Sequence, residues 1–172
     1  MKNLFTLALV AAGMFITTGT IAQSNKKRVS PPAEVTQTVK NGAVVTIKYS
    51  QPSLKGRTIG TDVEPMAGKV WRTGANEATV FETSKDIKVN GMKLPAGKYA
   101  LFTIFNGKEA TLIFNKVWNQ WGSEGYNEGQ DQLRVNTKVL SGDVTEKMTF
   151  TIDETGKADL KWGDKDVVFY ID

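Results

Sequence analysis

The sequence predicts an all-β domain, a two-sheet β-sandwich or jelly-roll-like fold of about nine or ten short antiparallel strands. Three observations carry this. Apolar residues recur at every second position in several segments, Asn-Gly pairs separate such segments, and no stretch keeps a helical period over several turns.

The first clear strand covers 44–49, where Val45, Ile47 and Tyr49 point one way and Thr46 and Lys48 the other. That is the pattern of a half-buried strand with one face on a core. Residues 98–105 are apolar on both faces, which places them centrally, and Asn106-Gly107 joins them to 110–114. Met148, Phe150 and Ile152 alternate with Thr149 and Thr151, and Ala158, Leu160 and Trp162 alternate with Asp159 and Lys161. Asn41-Gly42 and Asn90-Gly91 mark further hairpins, because Asn and Gly tolerate the positive φ that a two-residue turn demands. Pro95-Ala96-Gly97 reads as a tight corner, and Thr155-Gly156 and Gly163-Asp164 read as turns. Strand character lapses over 116–132, a stretch that holds Gly122, Gly125, Gly129, Trp118, Trp121 and Tyr126.

The N-terminus reads as a secretory signal peptide over 1–22. Lys2 supplies the positive start, 4–16 is an apolar run broken by Thr6 and Gly13, and Thr20-Ile21-Ala22 offers small residues where a signal peptidase inspects. The run is too short to span a hydrocarbon core of about 30 Å comfortably. The expected organisation is cleavage before Gln23, a basic, proline-bearing leader over 23–33, and one β-sandwich domain over 34–172. A domain of that length can bury roughly 70% of its unfolded surface. The expected location is exported, periplasmic or secreted.

Composition narrows the chemistry. There is no cysteine, which removes disulfides, thiolate metal sites, thiol nucleophiles and the lipid anchor built on a cysteine at the cleavage site. No membrane anchor is therefore expected after cleavage. Histidine is absent as well, so a Ser-His-Asp triad, a histidine-ligated zinc or copper site and histidine-ligated haem are all excluded. No cofactor or transition metal is expected. Loss of Lys2 with the signal peptide takes the formal charge from +4 to +3, much of it in Lys26-Lys27-Arg28. Such a run reads as a solvated tail, not as a nucleic-acid surface.

The densest polar cluster lies over 69–79. A strand delivers Trp71, the chain turns at Gly74, and Asn76 and Glu77 open the next strand, so one turn gathers Arg72, Asn76, Glu77 and the indole of Trp71. Arg57, in a glycine-flanked loop upstream, adds a second guanidinium. As a pocket, these residues offer a planar fork for a carboxylate or sugar hydroxyls, fixed polar partners and a stacking face. As structure, Arg72 or Arg57 pairs with Glu77 and pins a loop to the sheet, satisfying charges that are costly when half-buried. The structural reading, a buried Arg72–Glu77 pair, is the one preferred from sequence.

The segments Tyr49-Ser50-Gln51-Pro52-Ser53, Lys55-Gly56-Arg57, Val70-Trp71-Arg72-Thr73-Gly74-Ala75-Asn76-Glu77-Ala78-Thr79 and Pro95-Ala96-Gly97-Lys98-Tyr99 occur in that order. Together they resemble the bacterial family catalogued as domain of unknown function 2911, over nearly the whole mature chain. The resemblance implies an exported β-domain. It brings no established activity and no catalytic residues to carry over.

Two weaker constellations sit in the glycine-rich loop. Glu124, Asn127, Glu128 and Asp131 are oxygen ligands of the type calcium takes, but their spacing is not that of the EF-hand, and a solvated acidic loop is the preferred reading. Trp118 and Trp121 read either as a sugar-stacking platform or, preferably, as a lid packed over the core edge. Three classes of function follow. The first is a non-catalytic envelope module binding a carbohydrate, a peptide or a small anion through Arg57, Trp71, Arg72, Asn76 and Glu77. The second is a structural or partner-binding protein with a salt bridge in place of the pocket. The third, a hydrolase using two carboxylates, is disfavoured because only Glu77 lies in the motif and no partner for it is evident.

Overall fold

A computed structural model describes residues 28–172; the signal-peptide reading over 1–22 and the beginning of the leader lie outside the described residues. Ten strands carry the fold, and the described residues hold no α-helix. They are β1 (Pro32–Thr38), β2 (Val44–Ser50), β3 (Val70–Trp71), β4 (Thr79–Thr83), β5 (Ile87–Val89), β6 (Met92–Leu94), β7 (Gly97–Asn106), β8 (Glu109–Asn115), β9 (Asp131–Ile152) and β10 (Lys157–Tyr170). Strand β1 starts at Pro32, inside the stretch read as leader, and pairs with β2 from Pro32↔Ser50 onward.

The main sheet is eight-stranded and antiparallel in the order β1-β2-β4-β7-β8-β9-β10, with β3 added to β7, while β5 and β6 form a separate hairpin. The sheet curls on itself into a sandwich-like body. The chain just past β2 meets the far half of β9 through a Ser53↔Lys147 bridge and the bonds Leu54 N–H to Glu146 O, 2.9 Å, and Met148 N–H to Pro52 O, 3.0 Å. Curling brings the inward faces of distant strands onto one core, where Val45, Ile47, Phe81, Leu101, Phe114 and Phe169 are wholly buried. Period-two alternation is what makes this work, since each strand sends every second side chain inward.

Strand β7 is apolar on both faces for a reason the sequence leaves open. Its outer face forms a second small core of Ala78, Ala100, Phe102 and Ile113, and the 116–130 loop covers it with Tyr126. The Phe102 and Tyr126 rings meet edge-on at 5.0 Å.

The turns differ in detail from the expectation of three like hairpins. Asn90-Gly91 has both residues at positive φ, 46° and 81°, and makes the two-residue turn between β5 and β6. At Asn106-Gly107 the asparagine is still a strand residue paired with Glu109, and Gly107 opens the turn. At Asn41-Gly42 the loop is longer, closed by Val39 N–H to Ala43 O, 2.9 Å, with Gly42 as the positive-φ residue. Gly163-Asp164 is no turn: β10 runs through it, and Gly163 at φ 59° sits at a register shift against β9. A side chain there would also meet Ile59 Cδ1 at 2.4 Å. A glycine bulge re-aims a strand without ending it, which is why turn-like composition misleads at this point.

Candidate functional site

The motif over 69–79 is a tight connection between β3 and β4, tied down by hydroxyls. Thr73 adopts φ 53°, a conformation that a β-branched residue takes at a cost on the order of 1–3 kcal/mol. Its fully buried hydroxyl meets the Thr103 hydroxyl at 2.7 Å, and Thr79 Oγ1 donates to the Thr73 carbonyl at 2.7 Å. Gly74 is required by close approach, since a Cβ there would lie 3.0 Å from Thr79 Oγ1 and 3.1 Å from the Ser50 carbonyl oxygen. Trp71 is 2% exposed and donates its indole N–H to the Gly74 carbonyl at 3.0 Å, so it braces the turn from within. At that exposure it has almost no surface left on which a ligand could stack.

The remaining polar residues part company across the turn. Arg72 faces a cavity of about 250 Å³ lined also by Arg57, Trp71, Asn76, Glu64 and Pro52. Glu77 faces a second cavity of about 410 Å³ with Arg28, Tyr49 and Trp118. The expected Arg72–Glu77 pair is not formed. Glu77 is instead held by Arg28 of the leader, with Ser50 Oγ donating to its other oxygen at 3.4 Å. Both members of that pair are roughly two-fifths exposed, so the buried salt bridge expected from sequence is replaced by a surface one. Strands β3 and β4 run the same way along β7, and the chain between them loops out with Asn76 left-handed, φ 58°, leaving Arg72 and Glu77 on different cavities. Asn76 uses its side-chain amide to donate to the Ser30 carbonyl at 3.1 Å, which docks the leader onto the turn.

Arg57 is local in its bonding, donating Nε to the Leu54 carbonyl at 2.9 Å and Nη2 to the Ser53 carbonyl at 2.6 Å. Arg72 is the opposite case. Its Nε is buried with no hydrogen-bond partner among the described residues. Burial pushes the guanidinium below its ordinary value, while Glu64 and Glu124, near enough to be felt through space, pull it back up. A guanidinium keeps its charge under such a shift, so the site holds a desolvated cation with an unfilled donor.

Glu64 is placed by its neighbours: Trp162 Nε1 donates to its carbonyl at 2.8 Å, and its carboxylate accepts the Met66 N–H at 2.6 Å. Sequence reasoning missed Glu64 and Arg28, since only the fold brings either to the motif. It missed the loop pairing as well. The segment after Asn76 runs beside the 120–122 stretch through a Glu77↔Trp121 bridge and the bonds Ala78 N–H to Gln120 O, 3.0 Å, and Gly122 N–H to Asn76 O, 3.1 Å. In the same loop Asp131 is taken up by Asn115, Tyr126 and Arg134, and Asn127 caps the short 3-10 turn at Glu128–Gln130. Among the described residues no three carboxylates converge as a metal site.

Fold and site together define a small antiparallel β-domain of the sandwich-like class, whose one sequence-distinct motif separates two cavities. The chain belongs to the family described as "Protein of unknown function (DUF2911)", whose profile matches residues 30–171, as the motif implied. No curated protein and no solved structure matches the chain.

Proposed function

We propose that this protein is an exported, non-catalytic binding module of the bacterial envelope, and that its Arg72 cavity takes a small ligand through a carboxylate. The observation that carries the reading is the buried, partnerless Nε of Arg72 on a cavity shared with Arg57 and Asn76. A carboxylate matches the planar fork of a guanidinium and supplies the acceptor that the protein withholds. At about 250 Å³ the cavity lies just under the usual range for drug-sized ligands, about 300 Å³ and upward, which suits a molecule of a few carbons. Glu64, also in the lining, favours a ligand that carries a donor as well, such as a hydroxyl or amine.

Thermal melting of the mature protein with succinate, glutamate and malate tests this, because a ligand that prefers the native state raises the melting temperature. At a concentration about 100-fold above Kd the gain is about 2.7 kcal/mol. At least one of the three is expected to stabilise the wild type and to leave Arg72→Met unaffected. Equal responses in both proteins, or none in the wild type, overturn the reading.

A further inference from the structure

The second cavity has a different chemistry. At about 410 Å³ it falls inside the usual range for small-ligand sites. Its wall on one side is the β1–β2 pair with Tyr49; on the other it is the loop that carries Trp118. Its charged residues cancel: Arg28 pairs with Glu77 and Lys48 with Glu34, the second pair at 3.7 Å. The Arg72 cavity, with Arg57 and Arg72 against Glu64, has a cation in excess. Two cavities a few residues apart along one connection thus differ in charge, one with a cation in excess and one balanced.

Trp118 supplies the second observation. It is 42% exposed although burying an indole is worth a good deal, and it lines the cavity. The loop beneath it is anchored by the bond from Ala78 N–H to the Gln120 carbonyl and by the Glu77↔Trp121 bridge, so the ring is carried on a braced segment. Lys98 Nζ lies over the ring, 5.4 Å from its centroid, which further limits its motion.

We propose that this cleft binds a neutral pyranose ring, stacked on Trp118 and hydrogen-bonded by the Glu77–Arg28 pair. A sugar ring presents an apolar C–H face and a rim of hydroxyls, each both donor and acceptor. The indole matches the face. A carboxylate and a guanidinium already paired with each other match the rim, accepting and donating side by side with their entropy of positioning spent in advance. The site goes beyond the carboxylate cavity and does not depend on it.

The test is an NMR titration of the mature protein with cellobiose, maltose and N,N′-diacetylchitobiose, following the indole N–H signals, with the Trp118 signal assigned by its loss in Trp118→Phe. At least one disaccharide is expected to move the Trp118 signal saturably with Kd of about 1–10 mM. The signals of Trp71 and Trp162, whose indoles are engaged with the Gly74 and Glu64 carbonyls, should stay in place. Glu77→Gln, which keeps the shape and removes the charge, should weaken binding about tenfold. Arg72→Met should bind the sugar as the wild type does, and Trp118→Ala should respond to the carboxylate probes as the wild type does, so the two sites fail independently. No saturable shift with any of the three sugars up to about 50 mM overturns the proposal. So does undiminished binding in Glu77→Gln, a comparison that stands even where Trp118→Ala folds poorly.

Discussion

Two arginines face the same glycine-rich loop, Arg72 from just past β3 and Arg134 from β9, and end in opposite states. Arg134, on β9, donates Nε to Asp131 at 2.7 Å and Nη2 to the Tyr126 hydroxyl at 2.6 Å, and it pairs with Glu128 at 3.2 Å. Asp131 in turn accepts from Asn115 at 2.7 Å and from Tyr126 at 2.6 Å. The result is a closed network in which the bond to Asp131 raises the Arg134 guanidinium above its ordinary value. Arg72 has a buried Nε with no partner and is pushed the other way by burial. A folded protein satisfies most of its buried polar groups. The Arg72 Nε is the one cationic donor among the four buried atoms left unmet in the described residues, with Gln120 Oε1, Asp159 Oδ1 and Asp166 Oδ1. Arg134 therefore reads as a fastening that holds the loop over the outer core, and the proposed function takes the partner of Arg72 to be a ligand.

The largest expected effect tests the fastening. Asp131→Ala takes an acceptor at once from wholly buried Asn115, which keeps its bond to the Asn127 carbonyl, from the Tyr126 hydroxyl and from Arg134, which keeps Glu128. Losing three hydrogen bonds together, one of them from a wholly buried residue, should cost about 3 kcal/mol in urea denaturation. A loss under about 1 kcal/mol would mean that the network is ornamental and would remove the contrast with Arg72.

A smaller effect reads the same network through pH. Burial, seconded by the bond to Asp131, pushes the Tyr126 phenol from 10.0 up to about 12. The folded protein then keeps a proton that the unfolded chain gives up. The stabilising contribution is complete below pH 10 and is lost as pH rises towards 12. Lysines and other tyrosines titrate in the same window, so the informative quantity is the difference between wild type and Tyr126→Phe. That difference should be constant at neutral pH and shrink between pH 10 and 12. A difference that stays flat through that window would place Tyr126 outside the fastening.

How much of this was legible in the sequence follows from the range of the interactions. Strand faces depend on period two and turn residues on φ, both local, so 44–49, 98–105 and the Asn90-Gly91 hairpin are readable without a structure. Strand β9 was legible only at its end, 148–152, because its 22 residues serve two partners in succession, β8 and then β10, and its middle is exposed. The motif was readable as special, and four of its five candidate residues do line one cavity. The error was to join Arg72 to Glu77 by sequence proximity. The loop between β3 and β4 leaves them on different cavities, and the true neighbours, Arg28 and Glu64, lie in segments whose approach only the curled sheet determines.

The smallest expected change is the most decisive for the comparison. Arg72→Met keeps a long unbranched side chain against Trp71 and the turn while removing the guanidinium. If Arg72 were a fastening like Arg134, removing it would release what it holds, and stability would fall. The structure gives it nothing to hold: Nε has no acceptor, and Glu64 and Glu124 act on it only through space. What the folded protein pays instead is the lost hydration of a half-buried cation, which methionine does not pay. Stability in urea should therefore stay within about 1 kcal/mol of the wild type or rise slightly, whereas Arg134→Met should lose about 1 kcal/mol or more, discounted for the 36% exposure of its side chain. A loss of about 2 kcal/mol or more at Arg72 would break the comparison and make both arginines structural. Near-native stability together with loss of the response to carboxylates would sharpen it, because a side chain that costs the free protein stability and is recovered only by ligand is what separates a binding group from a brace.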